Sequence, residues 1–186
     1  YGAIVGNVYG GGMGKASDKM AGLVKGNTHV NISGTASSPF IYHNVYGGGA
    51  YGSVGDFAYD ANGMPTALQT ANTGVCNVTI TGGRIGTTGK ENGMVFGSSR
   101  GDVATPVNGV DPNDLLAWVY DTKITIGSSG GDLSKPLIKG SIYGSGENGH
   151  TFNDTEVKVH SGTIGIVSGE EIISRSEERR VGKECR

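Results

Sequence analysis

VYGGGAYG, Val45–Gly52, is a near copy of VYGGGMG at Val8–Gly14. Weaker versions follow as VFGSSRG, Val95–Gly101, and IYGSGENG, Ile142–Gly149. One glycine-rich loop suggests a phosphate cradle, whereas four of them, each after an apolar–aromatic pair, indicate an internal repeat. A second element keeps step with the clusters. THVNI (Thr28–Ile32), CNVTI (Cys76–Ile80), TKITI (Thr122–Ile126) and TEVKV (Thr155–Val159) alternate β-branched with polar residues, as a half-buried strand does. The expected inward column is Val30, Val78, Ile124 and Val157, with Ile32, Ile80, Ile126 and Val159 beside it. His29, Asn77, Lys123 and Glu156 face outward, as do Asn31, Thr79, Thr125 and Lys158. Short steps such as TGGRIG and SGTIG supply a third strand-like piece per repeat.

The spacings select the architecture. From the alternating run to the next cluster the distance hardly varies: 13 residues from Ile32 to Val45, 15 from Ile80 to Val95, 16 from Ile126 to Ile142. From the cluster's aromatic residue to the next alternating run it varies widely: 19, 30, 26 and 12 residues. A sandwich gives no reason for one elastic side, but stacked coils with one loop-tolerant corner do. The expected fold is all-β, a right-handed parallel β-helix of about four coils over residues 1–174. Glycine at the corners is expected to supply positive φ and to leave no side chain crowding the next rung, ~4.8 Å away. Tyr9, Tyr46, Phe96 and Tyr143 should then stack, at ~0.5–1.5 kcal/mol per ring pair beyond burial.

The VYGGG…TxVxI-(S/T)-G-G-x-I-G pattern resembles repeats of large glycine-rich bacterial surface or secreted proteins, adhesin-like and of the pectate-lyase-like β-helix superfamily. It covers Tyr1 to about Ser174, with departures in the third and fourth clusters and at IGSSGGD, Ile126–Asp132. The resemblance implies extracellular display, binding or scaffolding more often than catalysis. RSEERRVGKECR, Arg175–Arg186, resembles the translation of a short-read sequencing adapter and reads as a non-native tail. Tyr1 falls inside the repeat pattern, so the chain reads as a segment of a longer protein that begins before it.

Composition agrees with such a frame. Glycine is 35 of 186 residues and hydrophobic residues are 35%, while globular chains carry ~7% glycine. Without the tail, ten basic and fourteen acidic residues leave a net charge of −4, which argues against a nucleic-acid partner. No apolar run reaches the ~18 residues of a membrane span, so no direct membrane insertion is expected of this segment. Cys76 then has no partner for an intrachain disulfide.

No chemical motif stands out above the repeat. Lys15 follows the first cluster, but Ala16 comes next, no amphipathic helix follows, and the second cluster lacks a lysine. Calcium would need the repeated nonapeptide that Gly130, Gly131 and Asp132 only hint at, or a full loop around Asp60, Asn62 and Gly63, where Ala58 holds the first ligand position and Gln69 replaces the closing glutamate. Asp60 reads instead as an Asx turn before Pro65, and Asp102, Asp111 and Asp114 are a weak oxygen set. A sugar-cleaving β-helix needs clustered carboxylates on one outward face; here the columns carry none, and Lys123 over Glu156 reads as a cross-rung ion pair. His29, His43, His150 and His160 share no repeat position, and Cys76, in a column of threonines, reads as a buried thiol.

The expected function is therefore non-enzymatic, structural or adhesive, with no cofactor and no metal. The alternative is a carbohydrate-active or polysaccharide-binding β-helix. Partners would be host or bacterial surface glycans or proteins, and neighbouring coils of the parent protein. The insertions Ala50–Thr73 and Gly101–Tyr120 offer the contact surfaces, with Tyr59, Asp60, Arg100, Gly101, Asp102 and Trp118 as candidate binding residues. Arg100-Gly101-Asp102 spells an integrin-type tripeptide at the start of an insertion, where exposure is expected. Trp118, in LLAWVY, either packs its insertion down or offers a stacking platform for sugar.

Overall fold

A computed structural model describes residues 2–87, 92–102, 112–165, 167–168 and 171–172; Asp111 and the tail Arg175–Arg186 lie outside them. The fold is all-β. Among the described residues the one helical element is a 3-10 turn, Pro112–Leu115.

Three sheets each take one short strand from every repeat, all parallel and in chain order. The first runs Ala3–Ile4, Phe40–Ile41, Arg84–Ile85, Leu137–Ile138, Thr163–Ile164. The second holds the pairs before the glycine clusters: Val8–Tyr9, Val45–Tyr46, Val95–Phe96, Ile142–Tyr143. The third holds Thr28–Ile32, Val75–Ile80, Asp121–Ile126 and Thr155–Val159. Register is like on like: Val30 pairs Val78, Val78 pairs Ile124, and Ile124 pairs Val157. Aliphatic side chains from all three sheets, among them Ile41, Val45, Ile80, Ile85, Val95, Ile124, Ile126 and Ile138, fill one core. Each such burial contributes roughly 1.5–3 kcal/mol.

The aromatic column forms as expected. Tyr9–Tyr46, Tyr46–Phe96 and Phe96–Tyr143 stack with centroids 4.7, 5.0 and 5.0 Å apart and rings within 12° of parallel. The residue just before each pair adds a ladder that the sequence reading overlooked. Asn7 Oδ1 accepts from the Asn44 N–H and Asn44 Oδ1 from the Met94 N–H, both at 2.9 Å.

Glycine in the clusters acts by proximity and not by handedness. Gly10, Gly47 and Gly97 are not at positive φ. A Cβ on Gly10 would run into the Gly47 carbonyl, one on Gly47 into that of Gly97, and one on Gly97 into that of Gly144. Successive backbones touch there, and only hydrogen fits between them. The left-handed glycines lie outside the clusters instead, for example Gly83 at φ 88°, where a side chain would be strained.

Three further expectations change. Val157 and Val159 are 43% and 52% exposed, because their strand is last in its sheet and no described rung covers it. Lys123 and Glu156 share a register position, but Glu156 pairs with Lys158 on its own strand at 2.6 Å. Two residues along a strand share a face, and it is the same-strand lysine that takes the carboxylate. That lysine, ahead of Lys123, holds the Glu156 carboxyl below its ordinary pKa. Finally, described residues of both insertions pack into the frame. Val54, Leu116, Ala117 and Val119 are buried, and Val24, Val54 and Val119 bridge into a narrow column beside Cys76.

Two pairs of substitutions read this packing. Gly47→Ala should lower the unfolding free energy by about 1–3 kcal/mol or more, while Gly26→Ala, whose Cβ meets nothing within 4 Å, should stay within about 0.5 kcal/mol of the parent. Ile124→Ala should lose about 2–5 kcal/mol, and Val157→Ala in the same column less than half as much. Urea unfolding midpoints check all four.

Candidate functional site

The inserted segments place aromatic residues at i and i+2 in, or one residue past, three short strands: Phe57 and Tyr59, Trp118 and Tyr120, His150 and Phe152. That spacing puts both rings of each pair on one face of an extended backbone. Trp118–Val119 pairs parallel with His150–Thr151, so Trp118 stacks on His150 at 4.4 Å and 18°. Phe152 meets the Trp118 edge at 6.2 Å and stacks on Tyr120 at 5.6 Å. Phe57 touches Phe152, Tyr120 and Tyr59 at 6.0–6.4 Å. Lys19 caps the Tyr59 ring at 4.2 Å and donates to the Gly63 carbonyl. Burial, ahead of the Asp56 charge, raises the Tyr59 pKa.

This six-ring group joins Tyr59 and Trp118, which the sequence reading named separately. It adds Phe57, Tyr120, His150 and Phe152, which that reading missed; the repeated i, i+2 aromatic spacing was the available signal. Trp118 packs its insertion down: its Nε1 donates to the Asp114 carbonyl at 2.8 Å. Phe152 is the large apolar side chain of the group that stands exposed. The hairpin of Phe57–Tyr59 with Pro65–Leu68 is antiparallel, and Asp60 sits at its tip. Asp60 Oδ1 accepts from the N–H groups of Asn62 and Met64 at 2.9 and 2.8 Å, which is the expected Asx turn.

Arg100, Gly101 and Asp102 lie elsewhere, against the tyrosine column. Gly101 is buried, and its N–H donates to the Glu147 carbonyl at 2.8 Å. The Arg100 N–H donates to the Gly49 carbonyl, and the Arg100 carbonyl accepts from the Tyr51 N–H. The backbones of Arg100 and Gly101 are therefore bonded into neighbouring clusters, and Asp102 is half-buried. Arg100 Nε lies 3.5 Å from Glu147 Oε2, and the Tyr46 hydroxyl donates to the same carboxylate oxygen. Burial, then the bond to Glu147, pushes the Tyr46 pKa far above its ordinary value. A phenol held this firmly as a donor is no general base. Among the described residues no cluster of His, Cys, Asp and Glu has the arrangement of a metal site.

Comparison with known proteins supplies no further guide: no family model, curated protein or solved structure matches this chain.

Cys76 occupies a threonine column, and its neighbours explain why threonine recurs there. Thr28 Oγ1 donates to the Gly47 carbonyl and Thr122 Oγ1 to the Gly144 carbonyl, each at 2.6 Å. Burial pushes the Cys76 thiol up to about 12. The folded state then keeps a proton that the unfolded chain releases above ~8.5. Stability is complete below that pH and declines as pH rises toward about 12. In a Cys185→Ser background, native Cys76 should resist a thiol reagent at pH 8 and react on unfolding. Cys76→Thr should fold and lessen the alkaline decline, read by urea unfolding at pH 7 and pH 10.

Proposed function

We propose that the three parallel sheets are the faces of a right-handed parallel β-helix of about four coils. The coil would serve as a non-enzymatic display scaffold in an adhesin-like protein of the bacterial cell surface or secreted from it. The observation that carries this reading is the like-on-like register of successive repeats in all three sheets. One strand per repeat per sheet is the order that coiling produces, and crossovers between parallel strands are right-handed in nearly all cases. The coil supplies rigidity, and the inserted segments supply variable surface. Its partners would be surface glycans or proteins, together with further coils of a longer chain.

A second reading, a polysaccharide-binding β-helix, is favoured by the aromatic group around Trp118 and Phe152. Aromatic faces suit the apolar faces of sugar rings, and Phe152 leaves ring surface open to solvent. The outward positions of the third sheet, with His29, Asn77, Lys123 and Glu156 in register, lack the paired carboxylates of glycoside cleavage.

Purified chain incubated with acidic and neutral polysaccharides should release no reducing or unsaturated ends; turnover that persists after removal of contaminants overturns the scaffold reading. For the second reading, a glycan array should show binding that falls at least tenfold in Phe152→Ala with the far-ultraviolet spectrum unchanged. An array signal indifferent to that change removes the aromatic group from consideration.

A further inference from the structure

The outer face of the first sheet carries charge of one sign only. Ile41, Ile85 and Ile138 point into the core, so their neighbours along the strand point away from it. Rung by rung these are Ala3, Phe40, Arg84, Leu137 and Thr163, in register. One residue past the isoleucines come Tyr42, Gly86 and Lys139, where the Gly86 N–H donates to the Ile41 carbonyl and the Lys139 N–H to the Ile85 carbonyl. No acid stands at any of these positions. The three strands concerned are the inner ones of five, with a neighbour on each side. The Tyr42 ring stacks on Phe40 at 4.2 Å and 25° and stays 36% exposed. Arg84 Cζ lies 4.6 Å from the centre of the Phe40 ring, and Nε reaches the Gly86 carbonyl at 3.4 Å. Lys25, Arg100 and Lys158 have carboxylate partners, whereas Arg84 and Lys139 have none among the described residues. Thr163 Oγ1 donates to the Leu133 carbonyl of the adjoining loop, whose one acid, Asp132, accepts from the Ser134 N–H at 2.8 Å.

The geometry points to a binding site for an anionic glycan on this face. Gly86 brings no side chain between Tyr42 and Lys139, which stand two strand spacings, about 9.6 Å, apart. The gap is a notch with tyrosine at one end, lysine at the other and Arg84 beside it. The Cα atoms of Arg84 and Lys139 are on adjacent strands, two residues out of register and about 8 Å apart, so both heads reach one anionic group set between them. A sugar ring that carries a carboxylate or sulfate matches this pairing of groups. Its apolar face suits the Tyr42 ring, and its charge meets two cations that no protein acid neutralises. A guanidinium already laid on a ring loses little freedom when it pairs. Nucleic acid fits less well, because its dense phosphates call for a longer basic stripe than two cations in a chain that is net acidic without its tail. The glycan class of partner comes from the polysaccharide reading above. The site shares no residue with the group around Trp118 and Phe152, so the two are tested separately.

Affinity electrophoresis of the full chain through gels holding dextran, carboxymethyl-dextran or dextran sulfate tests this, since the three polymers share one sugar backbone and differ in charge. The readout is retardation in excess of that given by dextran. The parent should show such an excess with at least one charged polymer, and which one separates carboxylate from sulfate. Arg84→Gln, Lys139→Gln and Tyr42→Ala should each weaken the excess binding about threefold or more. Lys123→Gln, a cation on another sheet, and Phe152→Ala should leave it unchanged. The basic tail Arg175–Arg186 is common to every variant, so the differences between variants carry the result. Urea midpoints show which variants keep the fold, and Lys139→Gln, at a strand end, carries the test should Arg84→Gln unfold. No excess in the parent overturns the inference, as does a loss in Lys123→Gln equal to that in Arg84→Gln. A loss confined to Phe152→Ala moves binding to the Trp118 group, which overturns this site and leaves the polysaccharide reading standing. An equal loss toward DNA of matched charge assigns the face to polyanions at large and overturns the glycan.

Discussion

Backbone contact between successive repeats, at about 4.8 Å, governs this protein. At Gly10, Gly47 and Gly97 one rung's Cα faces the next rung's carbonyl with room for hydrogen alone. Everything near the clusters follows from that closeness. Tyrosine and phenylalanine rings carried by adjacent rungs have little choice but to lie face to face. Threonine hydroxyls at the start of the long strands come within hydrogen-bond reach of the glycine carbonyls. Asparagine side chains of one rung accept from the backbone of the next. Each ladder is a modest interaction, and repetition makes them mutually supportive.

The same closeness separates frame from surface. Inward positions are taken by valine and isoleucine, whose branched side chains fill one core between the parallel sheets. Residues inserted between rungs divide their roles. Ser53, Val54 and Val119 return to the frame as a narrow extra column. The hairpin that starts at Phe57, the aromatic residues at Trp118 and Tyr120, and the last-rung pair His150 and Phe152 gather on its outer side. In this arrangement the proposed scaffold offers binding surface without sacrificing its core.

The polar network of Tyr46, Glu147 and Arg100 belongs to the frame. It ties the second, third and fourth clusters together across about a hundred residues of chain, with Tyr46 and Arg100 both directed at one carboxylate. Burial opposes the Arg100 charge, yet the Tyr9 hydroxyl and then Glu147 outweigh it and hold the guanidinium pKa above its ordinary value. Groups committed in this way stabilise a rung boundary and are poorly suited to proton transfer.

What the sequence by itself determined is the periodic part: strand register in the third sheet, the aromatic column, the threonine column containing Cys76, and the Asx turn at Asp60. These are repeats of local pattern, and parallel stacking turns a position in the repeat directly into a position in space. Part of the first sheet was harder to see, since Phe40–Ile41 and Leu137–Ile138 are two-residue strands with no alternation to mark them. Tertiary structure alone decided what depends on neighbours outside the repeat. It grouped Phe57, Trp118 and Phe152 from three separate segments, buried Gly101 within a tripeptide that looked exposed, and gave Glu156 to Lys158 instead of Lys123. Distances between inserted segments obey no period, so no pattern along the chain encodes them.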